Sequence, residues 1–226
     1  EIYKGNYDSA SKELLAGLEI SEREKAEKNT GYFYNLLGII DYYSGNMEKA
    51  EKNFLKSIEY FERTEDYVEF IKPLNNMANV YIEYYGDIDK AIEYYNKGLN
   101  ISRKIGDLDL EMTFLNNVGE IYIGNHDYEN GKKYIRKTKE IAENIENGNM
   151  LFLSNINLGN IYLTTGEYGL CYNCYRELKQ GYIKNPNKEK EALGQYFNFM
   201  GEFYYTFGMW KKSLKNTYRA IQMCKE

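Results

Sequence analysis

The stretch INLGNIYLTTGEYGLC, residues 156–171, places Gly159 inside what otherwise reads as a helix, with Tyr162, Gly166 and the small Cys171 after it. A glycine in a helix interior costs roughly 1 kcal/mol relative to alanine. A second helix packed too closely for any side chain explains it, and if so the spacing should recur. It does. LLGIIDYYSGNMEKA (36–50) brings Gly38, Gly45 and Ala50, and MANVYIEYYGDIDKA (77–91) brings Ala78, Tyr81, Gly86 and Ala91, with one residue inserted before the second glycine. NVGEIYIGNHDYENG (117–131) has Gly119, Tyr122, Tyr128 and Gly131, and FMGEFYYTFGMWKKS (199–213) has Gly201, Tyr204, Gly208 and Ser213. The tight positions 38, 78, 119, 159 and 201 are separated by 40, 41, 40 and 42 residues. Self-similarity at such a period marks a repeat solenoid.

Composition agrees with a helical reading. The 226 residues are 43% hydrophobic and 28% charged, with two prolines, so long helices and a sizeable core are available. Tyrosine is abundant, at 25, which suits helices that are apolar on one side and wet at the tip. No run approaches the ~18 apolar residues of a membrane span, so no membrane partner is expected. The net charge of −5 argues against nucleic acid as partner. From Arg176 onward ten Lys/Arg face five Asp/Glu, so that end carries +5 and the rest −10. Solvated helix faces account for this, as would a basic docking surface.

Numbering each repeat so that its first tight residue is position 8, positions 4, 7, 8 and 11 share one helical stripe. They read Tyr34/Leu37/Gly38/Asp41, Leu74/Met77/Ala78/Tyr81, Leu115/Val118/Gly119/Tyr122, Asn155/Leu158/Gly159/Tyr162 and Phe197/Met200/Gly201/Tyr204. A turn follows in each (SGN, YGD, GNHD, TGE, FGM). A second helix then brings a small residue at position 20 into the contact (Ala50, Ala91, Gly131, Cys171, Ser213), with Phe54, Tyr95, Ile135, Tyr175 and Thr217 four residues on. The expected organisation is one array: a second-type helix of a truncated repeat over 1–24, then repeats over 25–65, 66–106, 107–146, 147–187 and 188–226. KGNYDSASKELL at the start matches the second half of a repeat, and SLKNTYRAIQMCKE at the end closes on a repeat helix. Neither end supplies the polar cap of a solenoid, which suggests a piece of a longer protein and self-association through uncapped ends.

The pattern Leu-Gly-x-x-Tyr-x-x-x-Gly-x-Tyr-x-x-Ala-x-x-x-Phe/Tyr resembles the tetratricopeptide repeat, in its long ~40-residue form, over essentially the whole chain. It departs from that pattern in lacking Trp at position 4 and Pro near position 32, with Asp41 for a Tyr and Asn155 for an apolar residue. The long form is similar to arrays in bacterial signalling proteins, peptide-pheromone receptors, kinesin light chain and Leu-Gly-Asn scaffolds. The resemblance implies an all-α solenoid of antiparallel helix pairs in a right-handed superhelix, with first helices lining the concave groove. It also implies a cytoplasmic protein- or peptide-binding role in a larger signalling protein, ahead of a diguanylate cyclase, kinase or DNA-binding output. The repeat domain of a pheromone-regulated phosphatase-type regulator and a purely structural scaffold are the alternatives.

Positions 5, 9 and 12 form the next face of the first helix, which in similar arrays lines the groove. Position 5 reads Asn35, Asn75, Asn116, Ile156, Asn198; position 9 reads Ile39, Asn79, Glu120, Asn160, Glu202; position 12 includes Tyr42 and Tyr205. Asparagine is a poor helix-interior residue, yet its amide matches the C=O and N–H of a peptide unit. The ten candidate groove residues are therefore Asn35, Asn75, Asn79, Asn116, Glu120, Asn160, Asn198, Glu202, Tyr42 and Tyr205, the glutamates favouring a ligand with some positive charge. Hydrogen bonding between repeats would select the same asparagines. Asn53, on a second helix, is expected on the outer face.

No enzyme signature emerges, and no catalytic residue, metal ligand or cofactor is assigned. The pair Cys171 and Cys174 in CYNC lacks the second pair of a zinc site and the preceding strand of a redox motif, so reduced thiols are expected. His126 has no Ser or Cys partner arrangement, and every glycine cluster is a repeat turn rather than a phosphate loop.

Overall fold

The described residues of the computed structural model, 7–184 and 190–225, form eleven α-helices and no strand. They are α1 (Tyr7–Arg23), α2 (Glu27–Tyr43), α3 (Met47–Thr64), α4 (Tyr67–Val80), α5 (Ile88–Ile105) and α6 (Leu108–Gly124). There follow α7 (Tyr128–Asn144), α8 (Gly148–Thr164), α9 (Tyr168–Lys184), α10 (Lys190–Thr206) and α11 (Trp210–Lys225). Two compact units divide the chain, Glu1–Leu110 and Glu111–Glu226.

In the first unit each helix packs on the next from α1 to α5, and the first helices α2 and α4 also touch. Gly38 shows why the stripe needs glycine: a Cβ there would lie 2.5 Å from the Phe54 ring of α3, which is 1% exposed. Burying a ring like that contributes about 1.5–3 kcal/mol. Phe61, Phe70 and Leu74 then join α3 to α4.

In the second unit α7 packs on α8, α8 on α9 and on α10, and α10 on α11. A Cβ on Gly119 would meet Ile135 Cδ1 of α7 at 2.6 Å, and one on Gly201 would meet Thr217 Oγ1 of α11 at 2.6 Å. At Gly159 the filler is Phe199 of α10, at 2.7 Å. The group over the tight position is thus the bulky residue at position 24, or a ring from the next pair, rather than the small residue at position 20. Gly131 at position 20 sits beside it, its notional Cβ 3.5 Å from the Gly119 carbonyl oxygen.

The turns repeat with the same period. Within pairs a left-handed residue closes the first helix at Gly45, Gly86, His126, Gly166 and Gly208; between pairs Lys25, Glu65, Gly106 and Glu146 do the same. In GNHD the residue that turns is therefore His126, while Gly124 still belongs to α6. Capping fixes the next helix start: Asp87 accepts from the Lys90 N–H at 3.1 Å, Asp127 from Asn130 at 3.1 Å and Asn147 from Met150 at 3.0 Å.

Two departures from the repeat pattern acquire a physical account. In two pairs a tyrosine at position 11 stacks on one at position 23, Tyr81 on Tyr94 at 5.5 Å and Tyr122 on Tyr134 at 5.6 Å. In the α2/α3 pair Asp41 and Asn53 replace both rings, and Asn53 Nδ2 donates to Asp41 Oδ2 at 2.7 Å. Asn53 is therefore partly buried in the pair rather than on the outer face. Asn155, 3% exposed, accepts from Lys139 Nζ at 2.9 Å, and Lys139 also reaches Glu177 at 2.8 Å, so one cation ties α7, α8 and α9.

Candidate functional site

A cavity of about 910 Å³ opens on the first-helix face of the first unit. Leu36, Ile39, Tyr42 and Tyr43 of α2 form one wall; Asn76, Asn79 and Glu83 form the other; Tyr7 and Phe54 complete the lining. Two predicted groove residues, Tyr42 and Asn79, are here. Asn35 is not: it is 4% exposed, and its Oδ1 accepts from Asn76 Nδ2 at 3.0 Å. Asn75 is half-buried, is not part of the lining, and has a partner of its own.

The wall on α4 owes its shape to the extra residue of the second repeat. Residues Tyr81–Tyr85 form a π turn that continues α4, and Gly86 ends it in the left-handed region at φ +65°. A π turn accommodates one more residue per turn and turns the side chains after it to a new bearing. Glu83 consequently receives the hydroxyl hydrogen of Tyr42 from α2. Burial and the Glu83 carboxylate both push the Tyr42 phenol above its ordinary pKa, burial more strongly. Two other tyrosines of the same turn take another carboxylate: Tyr81 and Tyr85 donate to the two Glu51 oxygens at 2.8 and 2.6 Å.

Internal hydrogen bonds also orient the two cavity amides. Asn76 spends Nδ2 on Asn35, which leaves Oδ1 as its open acceptor. Asn79 spends Oδ1 on the Tyr95 hydroxyl at 2.8 Å, which leaves Nδ2 as its open donor. These assignments follow from the network, as amide orientations do. An acceptor and a donor three residues apart on one helix face the cavity, which is the complement of a peptide unit.

In the second unit the predicted residues fall into three groups. Asn116, 8% exposed, donates to Glu120 Oε1 at 2.9 Å and accepts from Asn157 at 3.2 Å, while Asn157 also donates to Glu120 at 3.1 Å. Asn160 is half-buried, and its Oδ1 is buried with no protein partner. Asn198, Glu202 and Tyr205 of α10 share a shallower cavity of about 520 Å³ with Leu163 of α8 and Thr217 of α11. There Asn198 donates to Glu202 at 3.0 Å, and the exposed Tyr205 ring meets Trp210 edge to face at 4.9 Å.

The remaining reactive groups are placed for packing. Cys171 is fully buried and Cys174 nearly so, both free; burial pushes their thiols up to about 12 and about 11. Thiols held protonated are poor nucleophiles and poor ligands. His126 Nδ1 lies 2.9 Å from the Tyr128 hydroxyl in an exposed turn. Among the described residues no group of three or more His, Cys, Asp or Glu could hold a metal ion, and no helix is long and apolar enough to cross a membrane.

Sequence reasoning missed Asn76, Glu83, Tyr43 and Tyr7. Asn76 and Glu83 had a signal in the sequence, since position 6 holds asparagine in three consecutive repeats (Asn76, Asn117, Asn157) and the insertion displaces everything after Tyr81.

Residues 30–104 match the sequence model described as tetratricopeptide repeat. No curated protein matches the chain. Solved structures at low identity share its fold. BtubC (BKLC) from P. vanneervenii superposes with a TM-score of 0.78 at 19% identity, over 98% of this chain and 91% of that one. A signal transduction ATPase with numerous domains from Pyrococcus horikoshii, which has a tetratricopeptide repeat sensor, gives 0.69 at 23% identity over 88% of this chain; the match spans 31% of that larger protein. A Rap protein complexed with competence and sporulation factor gives 0.61 at 14% identity, over 100% of this chain and 72% of that one. The chain is thus an all-α array of tetratricopeptide-like helix pairs.

Proposed function

We propose that this chain is a binding module that receives an extended peptide or protein segment on its first helices, serving as the sensory or regulatory part of a signalling protein. The observation that carries the reading is the pair Asn76 and Asn79, whose free acceptor and free donor line a cavity of about 910 Å³. Such a pair holds the backbone of a segment whatever its side chains. Support also comes from the fold shared with a repeat sensor in a signalling ATPase and with a Rap protein held in complex with a factor. The role proposed is one of recognition rather than catalysis.

Selection of a random dodecapeptide display library on the immobilised chain, then calorimetric titration of recovered peptides, tests this. Asn79→Ala should weaken binding roughly 5- to 150-fold, and Lys97→Ala, on the exposed face of α5, should leave it unchanged. Equal affinities for wild type and both variants would exclude the cavity as the binding site.

A further inference from the structure

We infer that the cavity of the first unit selects its segment by one basic side chain, a lysine or arginine whose cation lies between the Glu83 carboxylate and the rings of Tyr42 and Tyr43. The inference rests on the segment-binding reading above and adds what the segment must contain.

Glu83 is an exposed carboxylate at the cavity wall whose one protein partner among the described residues is the Tyr42 hydroxyl. No lysine or arginine there neutralises it, unlike Glu69, Glu129 and Glu167, each within 3.0 Å of a lysine. The Tyr42 hydroxyl fixes its position and leaves other lone pairs open. The Tyr42 and Tyr43 rings line the same cavity and meet edge to face, centroids 5.4 Å apart and planes at 87°, with Tyr43 64% exposed. A fixed carboxylate next to aromatic rings is the chemistry that retains an ammonium or guanidinium. An acidic side chain would be repelled, and an apolar one would cover the carboxylate without pairing it.

Spacing fits as well. Glu83 lies four residues beyond Asn79, about 6 Å along the helix axis. That is the reach of a lysine or arginine side chain from a backbone unit held at Asn76 and Asn79. The carboxylate also belongs to this pair of helices alone: the equivalent position is Tyr43, Gly124, Thr164 and Thr206 in the other repeats. One fixed charge beside the two amides Asn76 and Asn79 sets the register of the segment.

The test uses peptides selected from the random dodecapeptide library on the whole chain. Recovered sequences should share a lysine or arginine at one register. Replacing that residue by norleucine (for lysine) or citrulline (for arginine) should weaken binding to wild type roughly 10- to 150-fold, the range for a hydrogen bond to a charged group. Glu83→Gln should weaken the parent peptide by a similar factor and be indifferent to the peptide change. Peptides that lose affinity with Asn79→Ala but not with Glu83→Gln, and show no shared basic residue, would overturn this inference and leave the binding reading standing. Failure to recover any peptide sensitive to Asn79→Ala would overturn both. The peptide replacement leaves the protein unaltered, so the result does not depend on how the variants fold.

Discussion

Asn76 Nδ2 donates to Asn35 Oδ1 at 3.0 Å across 41 positions of sequence, and Asn157 makes the same bond to Asn116 at 3.2 Å over the same separation. Position 6 of one helix pair is thereby stitched to position 5 of the pair before it. The bond divides the asparagine column by task. Asn35 and Asn116 are buried cross-links between repeats, whereas Asn79 keeps an open donor at the cavity.

Asn35→Ala and Asn116→Ala should each lower unfolding free energy by about 0.5–1.5 kcal/mol, the net contribution of a hydrogen bond whose partners, Asn76 and Asn157, are only half-buried. Urea denaturation followed by circular dichroism measures this. Wild-type midpoints for both variants would show that the inter-repeat bonds contribute nothing.

Gly119→Leu should overpack the contact with Ile135 and cost roughly 1–3 kcal/mol, since even a Cβ would lie 2.6 Å from Ile135 Cδ1. Combining it with Ile135→Ala should recover part of that loss, a coupling readable from a double-mutant cycle. Additive losses would place the clash elsewhere.

Gly86 separates conformation from packing, for a Cβ there meets nothing within 4 Å, yet φ is +65°. Gly86→Ala should therefore destabilise by about 1–2 kcal/mol through the left-handed backbone alone. Glu146→Gly, at φ +56°, should have the opposite sign, by up to about 1 kcal/mol after the greater freedom of glycine in the unfolded chain is counted. Thermal unfolding of the two variants checks both signs.

Burial raises the Cys171 thiol to about 12 and Cys174 to about 11, and raises Tyr34 and Tyr196 to about 12. The folded state holds these protons longer than the unfolded chain does. Their contribution is therefore fully present below the unfolded thiol pKa of about 8.5 and is lost as pH rises toward 11–12. Circular dichroism over pH 8 to 12 should show alkaline unfolding, shifted upward in Cys171→Ala. In a Cys224→Ser background, a thiol reagent at pH 7.5 should label Cys171 and Cys174 only after denaturant is added. Prompt labelling of the folded protein would contradict their burial.

The helix pairs were legible because their cause is local and periodic. A glycine that faces Phe54 or Ile135 leaves the same mark every 40 or so residues. Pairings between side chains were harder to read. Asp41 looked like a lone departure from the pattern until Asn53, twelve residues on, proved to be its partner in place of two stacked rings. Asn155 likewise made sense only with Lys139 of the preceding helix. Of the groove candidates, Tyr42 and Asn79 line the cavity of the first unit, but which asparagines remain open was not legible in the sequence. That depends on which amide hydrogen bonds the neighbouring pair has already taken, and no single-repeat alignment contains it. Glu83 was missed because an insertion was noted as a change of spacing and not as a change of bearing.

The π turn at Tyr81–Tyr85 confines its disturbance to five residues: Asp87 caps α5, and the left-handed residue that ends α5 is Gly106, 41 positions after Glu65. A lengthened chain has thus been absorbed as a local widening, with no slippage of the pair that carries it. Individual repeats can then exchange what they display inward by gaining a single codon, leaving the outward helix and its neighbours in phase. Transplanting IEYYG with its extra residue into another repeat of this chain would be a direct way to move a recognition element from one rung to the next.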